Sequence, residues 1–276
     1  MNADDFGLTS GVNRAIAELH AAGAVTSATL MARAEATDEA VEIARSMPAL
    51  GVGCHIVLVD GVPALPPDRI PSLIDRRTGQ FRTTLSAFLP RLLTGRIDPA
   101  EIEAEAAAQI ALLKNRGLAL THIDTHKHTH MFPPVLRAVL RAARAAGINK
   151  IRNPFEPSWA SHATARASLM RVAELAVLRR LRPASLRIIA EAGFATTDGT
   201  IAMAATGVLD AATLTSLIGR LAPGTWELVT HPGYNDADLD RVRTRLRASR
   251  DRERGALAAL KRFPAVELIS FRELEP

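Results

Sequence analysis

Short apolar runs alternate with helical stretches about seven times along this chain, and that alternation constrains the fold more than any single residue. Residues 25–31, 51–59, 118–120, 149–152 and 226–229 read as strands. Residues 11–22, 38–45, 85–93, 99–116, 133–146 and 210–221 read as helices between them. Residues 194–204 read as a strand pair turning at Asp198-Gly199, 236–262 as a long arginine-rich helix with a solvated charged face, and 266–269 as a last short strand. Strand, helix and strand in succession make a parallel βα unit, and repeated units close into a barrel. The expectation is an α/β protein: one TIM-barrel-like (β/α) domain over residues 1–276 with about seven parallel strands. No internal repeat or domain boundary interrupts the pattern.

One stretch stands apart. Residues 158–193 are helical and basic, with Arg166, Arg171, Arg179, Arg180, Arg182 and Arg187 among Leu169, Met170, Val172, Leu175, Val177, Leu178 and Leu181. Pro183 is expected to break it. An apolar face with basic flanks either packs on its own domain or lies at a membrane interface.

Chemistry concentrates in Thr121-His122-Ile123-Asp124-Thr125-His126-Lys127-His128-Thr129-His130, which holds four of the eight histidines. It follows a predicted strand and precedes a helix opened by Pro133-Pro134, so it lies at an edge where α/β folds build sites. Histidines this dense beside a carboxylate point to a divalent metal. A second polar group, Asn2-Ala3-Asp4-Asp5-Phe6-Gly7, precedes a helix that Thr9 or Ser10 can cap. The strand delivering Asp4 and Asp5 has almost no residues ahead of them, so it is expected either as a stub or as a strand cut short at the chain start. Adjacent carboxylates on an extended segment face opposite sides, so one can hold a metal while the other faces a substrate.

Asp5, His55, His126, Arg152 and His231 each lie within or just past the C-terminal half of a predicted strand, and a barrel brings those ends to one face. One aspartate and two histidines supply three ligands and leave a position open, the arrangement of a catalytic zinc. Asp4 can take a proton from water, His231 can give one to a leaving group, and Arg152 can keep Asp4 ionised. Such a layout hydrolyses an amide or ester. A metal phosphoesterase would want more carboxylate and often a second ion.

The net charge of +5 fits an anionic membrane face, an acidic substrate or nucleic acid. Aromatic residues make up only 4% of the chain, which leaves a nucleic-acid binder without stacking surfaces; nucleic acid is not expected as a partner. The single cysteine, Cys54, suits a reducing cytoplasm. No apolar run approaches the roughly 20 residues of a membrane span, and a first motif starting at Asn2 is read as leaving no room for a leader.

Residues 2–7, 53–58, 122–131 and 230–234 together resemble the YdjC-like carbohydrate deacetylases, in the family's order and over nearly the whole chain. The stretches 57–63, 70–75 and 147–154 are similar to the branch associated with hopanoid biosynthesis. The resemblance implies a divalent metal on Asp5, His55 and His126, with Asp4 as general base and His231 as general acid; two histidines and one aspartate suit zinc, with magnesium as the alternative. It implies that Arg152 steadies the base, in an Arg-x-Pro element ending at Pro154. Asp124, His128, His130, Asn153 and Tyr234 are expected to brace the site or touch substrate. The implied substrate is an N-acetylglucosaminyl hopanoid, which loses acetate. Soluble N-acetylglucosamine oligomers are the alternative. The implied location is cytoplasmic, with residues 158–193 forming an apolar wall or a peripheral membrane contact.

Overall fold

The computed structural model describes residues 1–260 and 263–275. The chain begins β1 (Asn2–Phe6), α1 (Ser10–Ala21), β2 (Ser27–Leu30), α2 (Thr37–Ser46) and β3 (Gly51–Ile56). A long connection follows and carries a small antiparallel pair, β4 (Ile74–Asp75) and β5 (Gln80–Phe81). Then come α3 (Leu85–Leu93), α4 (Pro99–Asn115), β6 (Ile123–Thr125) and α5 (Pro133–Ala145). The basic stretch folds as α6 (Ser158–Ala163), α7 (Leu169–Leu178), a 3-10 turn and α8 (Arg182–Glu191). The chain ends with β7 (Gly199–Ile201), α9 (Ala211–Ile218), β8 (Trp226–Thr230), α10 (Ala237–Arg241) and α11 (Arg247–Ala258). Helix starts follow local chemistry: Thr9, Thr84, Asp98, Ser168, Asp210 and Asp236 each accept a backbone N–H from the first turn they precede.

The expected closed barrel of about seven strands is corrected to a curled half-barrel. Its parallel sheet has six strands in the order β6-β3-β2-β1-β8-β7. The position expected for a further strand, residues 149–152, makes only isolated bridges, Ile123 to Ile151 and Lys150 to Ala195. Pro154 lacks an N–H for a longer ladder, and Arg152 turns its side chain into the interior.

The expected stub is also corrected. β1 is a five-residue strand at the middle of the sheet, paired with β2 on one side and β8 on the other. A central strand reading Asn-Ala-Asp-Asp-Phe has too few apolar residues to announce itself. Its polar side chains are buried because the concave interior is itself polar: Asn2, Thr29, His55, Asp124 and Thr230 are all buried there.

Several boundaries differ for identifiable reasons. The strand expected at 118–120 forms at Ile123–Thr125, because Ala119 is exposed and burial begins in earnest at His122. Pro183 opens α8 instead of breaking a helix, since a first-turn proline loses no hydrogen bond. The pair expected over 194–204 is one strand, β7; Asp198 instead exchanges hydrogen bonds with Thr225 at the approach to β8. The long helix expected over 236–262 is two helices, with Val242 extended between them; Lys261 and Arg262 lie outside the described residues. Residues 266–269 form no strand, and the Ile269 carbonyl accepts from Thr26 Oγ1 at 2.7 Å.

Helices cover the convex side of the sheet. α4 and α5 pack on each other, and Ile102, Ile110 and Leu113 of the first and Val135, Leu136 and Val139 of the second are all buried in the same core. Across β3 and β6, the His122 ring lies flat on Phe271 at 3.8 Å and directly over Gly53. A Cβ on Gly53 would sit 2.6 Å from that ring. Gly53→Ala is therefore expected to destabilise the fold by about 1–3 kcal/mol, the usual range for overpacking a filled core, as read in a urea melt.

Candidate metal centre

The site begins at an irregularity in β1. Asn2 and Ala3 pair with Ser27 and Ala28, but Phe6 pairs with Leu30, so β1 holds one residue more than its partner. Asp5 takes the left-handed conformation at φ 63°, which an L-residue adopts only where its surroundings impose it. Such a bulge bends a strand and re-aims its side chains, commonly beside active sites. Simple alternation would send Asp4 and Asp5 to opposite faces. The bulge lets both reach His55.

Asp5, His55 and His126 come together as expected. Asp5 Oδ1 lies 3.5 Å from His55 Nε2 and 3.2 Å from His126 Nδ1, and those two nitrogens are 3.2 Å apart. His55 Nδ1 is fixed by the Asp124 carboxylate at 2.7 Å, which turns Nε2 toward the cluster. A carboxylate behind a histidine is the usual support for a metal-binding imidazole. Asp5 Oδ1 is buried and has no hydrogen-bond partner, an expensive state for a carboxylate oxygen. Asp4, Asp5 and Asp124 face two buried guanidinium groups, Arg152 and Arg250, which leaves negative charge in excess. One oxygen, two imidazole nitrogens and uncompensated negative charge fit a divalent cation. Asp4, His55 and Asp124 also converge, but Arg152 already lies between the two carboxylates.

Arg152 organises the other half. It is fully buried and meets three carboxylates. Its Nη1 and Nη2 reach the two oxygens of Asp4 at 2.8 and 2.6 Å. Nη1 also lies 2.5 Å from Asp124 Oδ2, and Nε and Nη2 donate to Glu227 at 2.9 and 2.6 Å. Asn2 Nδ2 donates to Asp4 Oδ1 at 2.9 Å. Burial alone would raise the Asp4 pKa, but the Arg152 guanidinium outweighs it and holds the carboxyl well below the usual range. Burial acts on Asp5 the same way, and there Arg250 prevails with help from His126 and His55.

His231 stands at the edge of this group, its Nε2 3.9 Å from Asp4 Oδ2. Its backbone N–H donates to Glu253 Oε2 at 2.6 Å, and its Nδ1 lies 3.9 Å from the same oxygen. Burial raises the pKa of Glu253, as it does that of Glu227.

Arg250, Glu253 and Glu227 were not legible as site residues. Arg250 Nη2 pairs with Asp5 Oδ2 at 2.5 Å, which corrects the reading of the arginine-rich helix as a solvated face. A signal existed: Arg250, Glu253 and Leu257 share one helical stripe, and the apolar Leu257 marks that stripe as buried.

The other expected residues divide. Asp124 supports His55, as described. His130 Nδ1 meets Thr125 Oγ1 at 2.7 Å, bracing the turn that carries His126. In that turn Lys127 and His128 both have positive φ, and His128 Nδ1 is buried without a partner. Asn153 spends its amide on the Thr197 carbonyl and the Phe155 N–H, holding the loop behind Arg152. Tyr234 donates to Glu18 at 2.6 Å, and its ring lies between Arg14 and Arg254; these contacts join α1 to α11. His122 is packing, as Gly53 shows.

The α/β half-barrel thus gathers an Asp-His-His cluster, an Arg-held aspartate and a histidine into one group. Comparison gives the family. Residues 1–262 match the family described as YdjC-like protein, and the chain belongs to it. A carbohydrate deacetylase of Thermoanaerobacter pseudethanolicus is 30% identical over 93% of this chain and 89% of its own length. A carbohydrate deacetylase of Brevibacillus brevis is 44% identical over 52% of this chain and 54% of its own. A chitooligosaccharide deacetylase of Salmonella newport is 39% identical over 54% and 56%. The match thus spans little more than half the length of the latter two relatives. A crystal structure from Enterococcus faecalis V583, provisionally described as a cellobiose-phosphate cleavage protein, superposes with TM-score 0.70 at 27% identity, covering 94% of this chain and 89% of that one.

The buried histidines carry a pH signature. Burial, then Arg152, lowers His130 from 6.5 to about 3 and drives His122 well below 6.5. As pH falls below 6.5 these two histidines take up protons in the unfolded chain that the folded chain refuses, so their contribution to stability is full above 6.5 and declines toward about 3 for His130. Between about pH 6 and 4, His130→Gln is expected to flatten the fall in unfolding free energy by up to about 1.4 kcal/mol per pH unit. Denaturant melts across that window measure it.

Proposed function

We propose that this chain hydrolyses the acetamido group of an N-acetylated amino sugar, releasing acetate and leaving the free amine. The observation that carries the reading is the Asp5-His55-His126 cluster, with Asp4 and His231 3.9 Å apart beside it. Names borne by the matched relatives support the substrate class. Asp5, His55 and His126 would hold the metal, for which we propose zinc. Such an ion would supply Lewis acidity to the acetamide carbonyl and lower the pKa of water in the site.

The protein's own groups do the rest. Asp4 accepts the proton of the attacking water, and Arg152 keeps it anionic and fixed at neutral pH. His231 donates a proton to the departing nitrogen as the carbon–nitrogen bond breaks. Glu253 fixes the backbone of His231. His128 and His130 line and brace the turn bearing His126.

We further propose that the sugar is carried on a large apolar aglycone, an N-acetylglucosaminyl hopanoid. α7 presents Leu169, Met170 and Val177 at 89, 83 and 60% exposure, with Arg166 and Arg180 at its flanks. Such a face suits a hopanoid or the cytoplasmic surface of a membrane. No helix among the described residues is long and apolar enough to cross one.

Asp4→Asn is expected to bind zinc normally while kcat falls by about 10²–10⁴-fold, the usual range for losing a general base. Asp5→Asn and His55→Gln are expected to lose zinc instead, as read by metal content per chain. A reversed pattern would exchange the two aspartates' roles, and full turnover after chelation would end the metal reading. Leu169→Ser with Met170→Ser and Val177→Ser is expected to weaken turnover of the glycolipid at least ~10-fold, consistent with roughly 25 cal/mol per Å² of lost apolar contact, and to spare a soluble acetylated chitooligosaccharide. Equal turnover of both substrates by the wild type and this variant would favour the soluble substrate.

A further inference from the structure

Arg250 stands out among the buried charges. It is 1% exposed, on α11, and its Nη2 donates to Asp5 Oδ2 at 2.5 Å. Its Nε and Nη1 have no hydrogen-bond partner among the described residues. Arg152, by contrast, satisfies three carboxylates. A buried ion pair is a weak source of stability, because desolvation offsets the attraction. An arginine buried with one carboxylate oxygen as its only side-chain partner therefore calls for a reason other than stability.

Its placement is fixed from two sides. The Gly233 N–H donates to the Arg250 carbonyl at 3.4 Å, and a Cβ on Gly233 would lie 3.1 Å from Arg250 Cδ. The arginine stem thus runs under the loop that follows His231. At the other end Asp5 is held at φ 63°, its Oδ1 toward His55 and His126 and its Oδ2 on the guanidinium.

We propose that Arg250 is a positioning residue that makes Asp5 a one-oxygen ligand, by occupying Oδ2 and leaving Oδ1 alone for the metal. The proposal rests on the metal reading above. A carboxylate beside a dication can bind through one oxygen or chelate through both. With two imidazole nitrogens present, chelation consumes a position that a catalytic ion keeps open for water and substrate. A guanidinium committed to Oδ2 removes that option while leaving Oδ1 without competition.

The test compares wild type with Arg250→Met, which keeps length and loses every donor. Each is titrated with Zn²⁺ against a chromophoric chelator and, separately, loaded with Co²⁺, whose visible bands weaken as its coordination number rises. The expected result is a 10–100-fold loss of zinc affinity, typical of removing an outer partner of a ligand, together with weaker Co²⁺ bands. Wild-type affinity and wild-type bands in the variant would overturn the proposal. If Arg250→Met does not fold, a crystal structure of the Zn²⁺-loaded wild type decides. Asp5 bound through Oδ1 with Arg250 on Oδ2 supports the proposal; a chelating Asp5, or an Arg250 turned away, overturns it. Wild type that takes up neither ion, or binds Zn²⁺ equally well as Asp5→Asn, overturns the metal reading and this proposal with it.

Discussion

One guanidinium inside the half-barrel sets the terms for everything around it. Arg152 meets Asp4 on β1, Asp124 on β6 and Glu227 on β8, all out of solvent. Without it those carboxylates would be buried against one another, a state the interior of a protein does not tolerate. The same cation disciplines both halves of the site. Through Asp4 it fixes the proposed base; through Asp124 it fixes the carboxylate that orients His55. The concave face is polar, and the carboxylates of Asp4, Asp124 and Glu227 in it share Arg152 as their countercharge.

That network explains which parts of the molecule were legible in the sequence. Strand ends bearing His55, His126 and His231 could be read because apolar runs and turn residues bracket them. Asp4 and Asp5 could be read as chemistry but not as strand, since β1 owes its place to ion pairing and not to hydrophobic pattern. The seventh strand was over-read for the opposite reason. Ile148 and Ile151 have the right composition, yet Arg152 and Pro154 end the ladder after single bridges. Arg250 was hidden by its neighbours: Arg245, Arg247, Arg252 and Arg254 surround it, and charge alone does not tell a buried arginine from solvated ones. Glu227 was hidden inside an ordinary strand pattern, between Trp226 and Leu228.

Among the described residues, three of the five non-glycine residues with positive φ lie at the Asp5-His55-His126 cluster. Asp5, Lys127 and His128 all take positive φ without being glycine, and each lies in or beside the Asp5-His55-His126 cluster. Such conformations cost on the order of 1–3 kcal/mol each and survive only when the surroundings impose them. Here the surroundings are identifiable. Asp60 holds Lys127 through its ammonium at 2.8 Å, and Thr125 holds the far end of the turn through His130. Rigid ligands are what a site needs if an ion is to find the same geometry at every turnover.

The place of β1 has a consequence for how the molecule is made. Its partners are β2, which follows after helix α1, and β8, whose pairing with Ala3 is made by Thr230. During synthesis the first strand leaves the ribosome long before its second neighbour exists. Until then it exposes a bare edge bearing two aspartates whose countercharges, on Arg152 and Arg250, have yet to be translated. Closure over such sequence distances is slow. β8 and Arg250, both in the final fifth of this sequence, complete the pairing of β1 and the countercharge on Asp5.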